Sequence, residues 1–475
     1  MLFPTIDFAI FFAVAFAVNW LLNPYPVPWK LAMIALSYFF YSWWDWRFIF
    51  LLAASTVISQ LGAVRISKAR TERSRKAWMI ASVVGLLGLL GWFKYYGFLS
   101  SNLDNAFHRI GLGHPLPIIQ PTLPVAISFF TFMALSYVID VYRRQLDVAR
   151  PLDTAVYLSF FPHLVAGPIV RGEELLPQIR RKRNPNAIDF SPAIWMIMGG
   201  LFKKVVVSSY LSANIVTPVF AAPRQHSAIE VVFAAWGYAV EIYCDFSGYT
   251  DIAIGLALLL GFRFPINFDG PYTARNLQDF WRRWHITLSR WLRDYLYIPL
   301  GGNRGSELFG ARNIMITMVL GGLWHGANWT FLIWGALHGA GQVVGHLRRQ
   351  RRVARGLPAV AEGRGVIWRE RFFTFQFVCL GWVFFNASSV SNALAVLSRL
   401  FDGWGTPSPL VTPLLVLTIA AFIAVQYVPK DLVGRLQAAF SRQKAIVQVL
   451  ALSGGLLVIT TLGPQGVAPF IYYRF

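Results

Sequence analysis

Charge is scarce in this sequence: only 14% of its 475 residues are Asp, Glu, Lys or Arg. A soluble globular chain carries about 25%. So few charges cannot cover a water-exposed surface, which implies that most of the surface faces lipid. Acidic residues are scarcer still, 22 against 43 Lys and Arg, for a formal net charge of +21. Such an excess invites nucleic acid as a partner, but the basic residues do not form one patch. They cluster between apolar stretches, at 65–76, 143–150, 171–183, 275–312 and 348–371. Short basic loops beside membrane spans mark the cytoplasmic face, so no nucleic-acid role is expected. The two cysteines, Cys244 and Cys379, are too few for a disulfide framework and form no CxxC pair. No HxxxH or HExxH spacing occurs, so no metal site is expected. A GxSxG elbow and the GxxxxGK[ST] and GxGxxG phosphate loops are also missing. The chemistry left open is acid–base catalysis by histidine.

Apolar stretches of spanning length or near it fall at 2–22, 31–44, 47–64, 77–99, 123–142, 191–220, 228–262, 313–345, 372–387, 409–428 and 445–462. No 20–50-residue repeat and no low-complexity linker divides them. One all-α polytopic membrane domain over 1–475 is expected, with about ten or more transmembrane helices. The segment 2–22 has no basic n-region or cleavage site, so it reads as a retained helix and not a signal peptide.

Cytoplasmic loops at 65–76 and 143–150 make 77–99 and 123–142 an out-and-back pair. The loop 100–122, with His108 and His114, then faces outward. The segment 151–170 has basic loops on both sides and is interrupted by Pro162, Gly167 and Pro168. It is expected to be re-entrant or interfacial, which is tolerated only inside protein or beside a water-filled cavity. The same parity applies to 313–345. It is expected to enter and return, with about 15 residues per arm against the ~20 of a full crossing. The reversal then falls in "LWHGANW", with His325 beside it.

Three constellations could carry chemistry. In 276–305, at about 100° per residue, Phe280, Trp281, Trp284, Leu288, Trp291 and Tyr295 share one face and Arg282, Arg283, Arg290 and Arg293 the other. This predicts one amphipathic helix along the cytoplasmic interface, with His285 on the seam. The arginines would hold lipid phosphates or those of an anionic cofactor. In "GGLWHGANWTFLIWGALHG" (321–339), polar residues at membrane depth are functional candidates by default: His325 beside Trp324, and Asn328 three residues on. His338 lies on the opposite side and is expected to pack against a neighbouring helix. In "EIYCDFSGYTDIAIG" (241–255), Glu241, Asp245, Ser247, Tyr249 and Asp251 crowd an apolar run. They could orient a histidine or arginine of another helix, or pair with Lys203 and Lys204. The sequence leaves both readings open.

"FWRRWHITLSRWLRDYLYIPLGGNRGS", "DFSGYTDIAIG" and "LGGLWHGANWTFLIWGALHG" together resemble the membrane-bound O-acyltransferase (MBOAT) family. "FPHLVAGPIVRGEELLPQI" and the ending "PFIYYRF" match its bacterial branch of alginate and peptidoglycan O-acetyltransferases. The resemblance implies many helices around a central funnel in the bacterial inner membrane. It implies that His325 is the family's near-invariant histidine and His285 its second polar position. Trp324, Asn328, Arg282, Asp245, Ser247, Tyr249 and Asp251 would support them. It further implies no permanently bound cofactor, and a cytoplasmic acyl-thioester donor such as acetyl-CoA. The acetyl group would pass to an exported polysaccharide, through a separate periplasmic acetyltransferase in this branch. A transporter of polysaccharide or lipid-linked sugar is the rival class; such folds often show paired repeats, which this sequence lacks.

Overall fold

The computed structural model describes residues 1–114, 117, 119–188 and 190–463. The aromatic ending "PFIYYRF" lies outside them. Among the described residues the regular structure is helical, without strands. The chain divides into two compact units, Met1–Ala193 with Ile252–Pro265, and Ile194–Asp251 with Ile266–Phe475.

Among the described residues, five helices are long and apolar enough to cross a membrane: Trp46–Lys68, Glu72–Arg109, Phe190–Ala221, Ala228–Leu259 and Ala445–Leu462. A pair bent by 95°, Pro413–Tyr427 with Lys430–Ser441, passes the same test only when taken together, as a broken span or a re-entrant loop. The remaining apolar stretches appear as shorter helices or as helices that carry polar residues inside the protein, among them Ile6–Leu21 and Ile127–Tyr142. Burial explains why these depart from a simple hydropathy signal. In Ile127–Tyr142, Ser128, Thr131, Ser136 and Asp140 are all buried with their apolar neighbours.

In the first unit, the expected loop over 100–122 is partly helical. A π-turn at Gly91–Tyr95 lets the preceding helix continue to Arg109. The interrupted segment 151–170 is a helix, Pro151–Ser159, a single turn, Phe161–Leu164, and then irregular chain to Arg171. Nearly all of it is buried. Its backbone is satisfied by side chains, as burial demands: the Tyr157 hydroxyl donates to the Val170 carbonyl at 3.1 Å, and the Phe161 N–H donates to Ser37 Oγ at 3.2 Å.

In the second unit, 313–345 turns back on itself. The arms are Glu307–His325 and Trp329–Ala354, 19 and 26 residues long. They exceed the 15 expected because both continue into the flanking polar and basic sequence. Close approach of the arms depends on glycine, since a Cβ on Gly322 would collide with the Phe331 carbonyl and one on Gly335 with the Met318 carbonyl.

The amphipathic stretch 276–305 departs from expectation. It is two short helices, Leu277–Arg283 and Ile286–Leu292, followed by a π-turn, Arg293–Tyr297. The break falls at Trp284 and His285, and His285 takes a left-handed conformation with φ 43°. The two faces survive the break: Trp281, Trp284, Leu288 and Trp291 are buried, while Arg282 and Arg293 are exposed.

Candidate active site

His325 ends the first arm of the hairpin, and its ring sits in an aromatic cage. Centroids lie 4.8 Å from Trp324, 5.0 Å from Trp334 and 5.0 Å from Phe385. Three residues later the second arm begins, capped by Asn328, whose Oδ1 accepts the Thr330 N–H at 3.0 Å. Its Nδ2 donates to the Ser388 carbonyl at 3.3 Å. Both ends of the Asn328 amide therefore hold the turn beneath His325.

His285 is fully buried, and Asn267 explains the helix break beside it. Asn267 Oδ1 accepts from the Thr287 N–H at 3.1 Å and from Thr287 Oγ1 at 2.9 Å. An atom that accepts a backbone N–H must be the amide oxygen, so the third contact, His285 Nδ1 at 3.2 Å, is a donation from the imidazole. The tautomer follows: Nδ1 carries the proton and Nε2 presents a lone pair. Nε2 is buried and has no hydrogen-bond partner among the described residues. Burial pushes the His285 pKa down to about 3, so the ring is neutral at physiological pH. A neutral imidazole in this tautomer accepts a hydrogen bond at Nε2 and cannot donate one there.

Trp324 joins the two histidines, its centroid 5.9 Å from His285 and 4.8 Å from His325. The other wall of His285 is Phe246, 4.7 Å away and perpendicular. His338, on the returning arm, accepts from Trp281 Nε1 at 3.2 Å and packs among Trp334, Trp382 and Phe280. It is a buried packing histidine.

The acidic run engages the two lysines. Lys203 Nζ lies 2.5 Å from Asp251 and 2.9 Å from Ser247 Oγ, while Lys204 pairs with Asp245. Lys204 Nζ also stands over the Tyr249 ring at 5.4 Å. Both lysines belong to the π-helical stretch Phe202–Ser208. Its wider winding brings consecutive side chains towards the same neighbouring helix.

At the basic end of the hairpin lies a cavity of about 800 Å³. Arg282, Arg293, Arg349, His346, Gln278 and Gln342 line it, and Trp281 and Met318 form part of its wall. His285 and His325 do not line it. Trp334 packs against both Trp281, at 5.7 Å, and His325, so an aromatic wall stands between the cavity and His325. No cluster of His, Cys, Asp or Glu suited to a metal occurs among the described residues.

Asn267 and the cavity residues Gln342 and His346 carry no motif or periodicity that would single them out, whereas Arg349 belongs to the basic cluster 348–371. For Asn267 the only sign is an amide in the turn-like "PINFDG", 18 positions from His285. Replacing Asn267 by Leu removes three buried hydrogen bonds, each worth about 0.5–1.5 kcal/mol net. We expect Asn267→Leu to lower the unfolding midpoint and, in the folded fraction, to lower kcat with little change in KM. Thermal unfolding and steady-state kinetics on the same preparation check both.

Comparison with known proteins gives the family. The profile of the MBOAT, membrane-bound O-acyltransferase family matches residues 92–389, which includes the hairpin and both histidines. The chain is 36% identical to the probable alginate O-acetylase AlgI of Azotobacter vinelandii, over 94% of each chain. It is 37% identical to the peptidoglycan O-acetyltransferase of Helicobacter pylori, over 82% of this chain and 77% of that one. It is 40% identical to the probable alginate O-acetylase AlgI of Pseudomonas aeruginosa, over 78% of this chain and 70% of that one. With relatives of this kind over most of its length, the chain belongs to the membrane-bound O-acyltransferase family and is a multi-pass membrane acyltransferase.

Proposed function

We propose that the protein moves an acetyl group from a thioester donor, acetyl-CoA, to a hydroxyl of an exported polysaccharide, alginate or a similar glycan, across the bacterial inner membrane. The observation that carries this reading is the polarity of the hairpin. A basic cavity lies at its open end and His325 at its closed end. The first arm is 19 residues long, about 28 Å at 1.5 Å per residue and close to the ~30 Å hydrocarbon thickness of a bilayer, and the cavity lining reaches along it to Met318, seven residues before His325. The basic end belongs to the loops that the positive-inside rule puts in the cytoplasm. The far end is where an acceptor outside the cell would arrive.

In the reaction, the acceptor hydroxyl oxygen attacks the thioester carbonyl. His325 takes the hydroxyl proton as general base and returns it to the departing thiolate as the C–S bond breaks. An acetate ester and a free thiol remain. His285, with its lone pair at Nε2, accepts a second hydrogen bond and orients the acceptor; it does not serve as an oxyanion donor while neutral. Arg282 and Arg349, exposed and in no ion pair among the described residues, hold the donor phosphates. Asp245, Asp251, Ser247 and Tyr249 act at a distance, by fixing the helix that carries Phe246 against His285.

Charge reversal at Arg282 or Arg349 should raise KM for acetyl-CoA about tenfold each, equivalent to about 1.4 kcal/mol, and leave kcat unchanged. A salt titration of KM should flatten in the variants. Unchanged KM and salt dependence would place the donor elsewhere. The acceptor is tested in a deletion strain by O-acetyl analysis. Loss of ester from secreted polysaccharide supports this reading, and loss from peptidoglycan alone, the activity named for the Helicobacter pylori relative, contradicts it.

A further inference from the structure

A second basic cavity lies in the first unit, at the foot of the apolar helix Ala228–Leu259. Its volume is about 220 Å³, and Gln178, Arg181, Lys182, Arg183, Asn184 and Arg263 line it. No described acidic side chain does so. The site is built. Asn23 clamps the Arg183 backbone from both directions, donating to its carbonyl at 2.9 Å and accepting its N–H at 3.3 Å. Gln178 does the same for Arg263, at 3.0 and 2.8 Å. Gly261, at φ +85°, turns the chain so that the Arg183 stem and the Trp20 ring close on it.

The Arg183 guanidinium lies 4.0 Å over Trp29 and 4.8 Å over Phe262. That stacking fixes its plane, yet among the described residues its Nε is buried with no hydrogen-bond partner. Arg181 and Lys182 are exposed and make no ion pair there either. Their neighbour Arg180 differs, since it pairs with the buried Asp153 at 3.2 Å.

We infer that this cavity binds the phosphate of an anionic lipid headgroup in the leaflet that the basic loops face. Basic pockets beside membrane helices recognise such headgroups. The half-buried Trp20 ring beside the cavity fits the interfacial level where the phosphates lie. The cavity is smaller than the roughly 300–1,000 Å³ of sites for drug-sized ligands, which favours a single phosphate with its glycerol over a nucleotide. Ala187, Ile188 and Leu258 supply apolar lining towards the acyl chains. The inference is independent of the reaction proposed above.

The test is the ratio of phosphatidylglycerol to phosphatidylcholine retained by the full chain after extraction from mixed vesicles, read by native mass spectrometry. Removing one charge should lower this ratio about fivefold. Arg181→Gln with Lys182→Gln, both exposed positions, should therefore lower it about 25-fold, and Arg183→Gln about fivefold. The same neutralisation at the exposed Arg70 and Arg73 should leave it unchanged. An unchanged ratio in the Arg181/Lys182 variant overturns the inference. An equal fall in the Arg70/Arg73 variant also does, because it reduces the effect to general surface charge. Displacement of the lipid by millimolar coenzyme A or inorganic phosphate would assign the cavity to a soluble phosphate instead, and would overturn it too.

Discussion

His325→Ala should lower acyl transfer by about 10²–10⁴-fold, the usual contribution of a well-placed acid–base group, while the protein still reaches the membrane in normal amount. The ring lies in a cage of Trp324, Trp334 and Phe385, and no described helix takes its N-terminal cap from His325. Asn328 supplies the cap of the second arm, and the glycine contacts of Gly322 and Gly335 hold the arms together. Removal of the imidazole should therefore cost catalysis far more than folding. His325→Gln keeps a polar side chain of similar size but cannot shuttle the proton, and should fail to restore the rate. Labelled acetyl transfer, with yield after detergent extraction as the folding control, checks both variants. A Gln variant with near-normal turnover would mean that His325 positions substrate without taking a proton.

The second large effect lies in the lysine–carboxylate pairs. Lys204 and Asp245 are both almost wholly buried, with side chains 1% and 3% exposed. Breaking such a pair from one side leaves an uncompensated buried charge and costs about 3–5 kcal/mol. Lys204→Met should accordingly cause a large fall in the thermal midpoint. Replacing both partners with apolar groups of similar size is often neutral, so Lys204→Met with Asp245→Leu should regain most of the loss. The double variant also separates the two open readings of the acidic run. Recovered stability with recovered activity makes Asp245 a structural partner. Recovered stability without activity would bring the carboxylate into the reaction itself.

Different physical signals explain what could be read ahead of the structure. The hairpin was legible because its two flanks carry charge of the same sign, and parity demands a return. The position of His325 followed from the turn-forming "HGAN" between two apolar runs. The faces of 276–305 were legible because tryptophans and arginines keep helical spacing on both sides of the break. The break itself was not, because that spacing runs unbroken through Trp284 and His285. It is set by Asn267, a tertiary contact with no periodic trace. The same limit applies to the acidic run. Carboxylates in an apolar helix announce that partners exist, but choosing Lys203 and Lys204 needed the π-helical register of Phe202–Ser208. Asn328 shows the converse. It lies beside His325 as the sequence predicts, and its amide holds the chain reversal.

The central claim is that a thioester on the basic-loop side and a hydroxyl on the other side react at His325. Its most direct test uses proteoliposomes in which the protein is uniformly oriented. Labelled acetyl-CoA is supplied only on the side of the basic loops, and alginate oligosaccharide, with any partner acetyltransferase, only on the other. The account predicts labelled acetate ester on the glycan side, free thiol on the donor side, and neither product with His325→Ala. Ester formed only when donor and glycan share one side, or undiminished transfer by the His325→Ala protein, would contradict it.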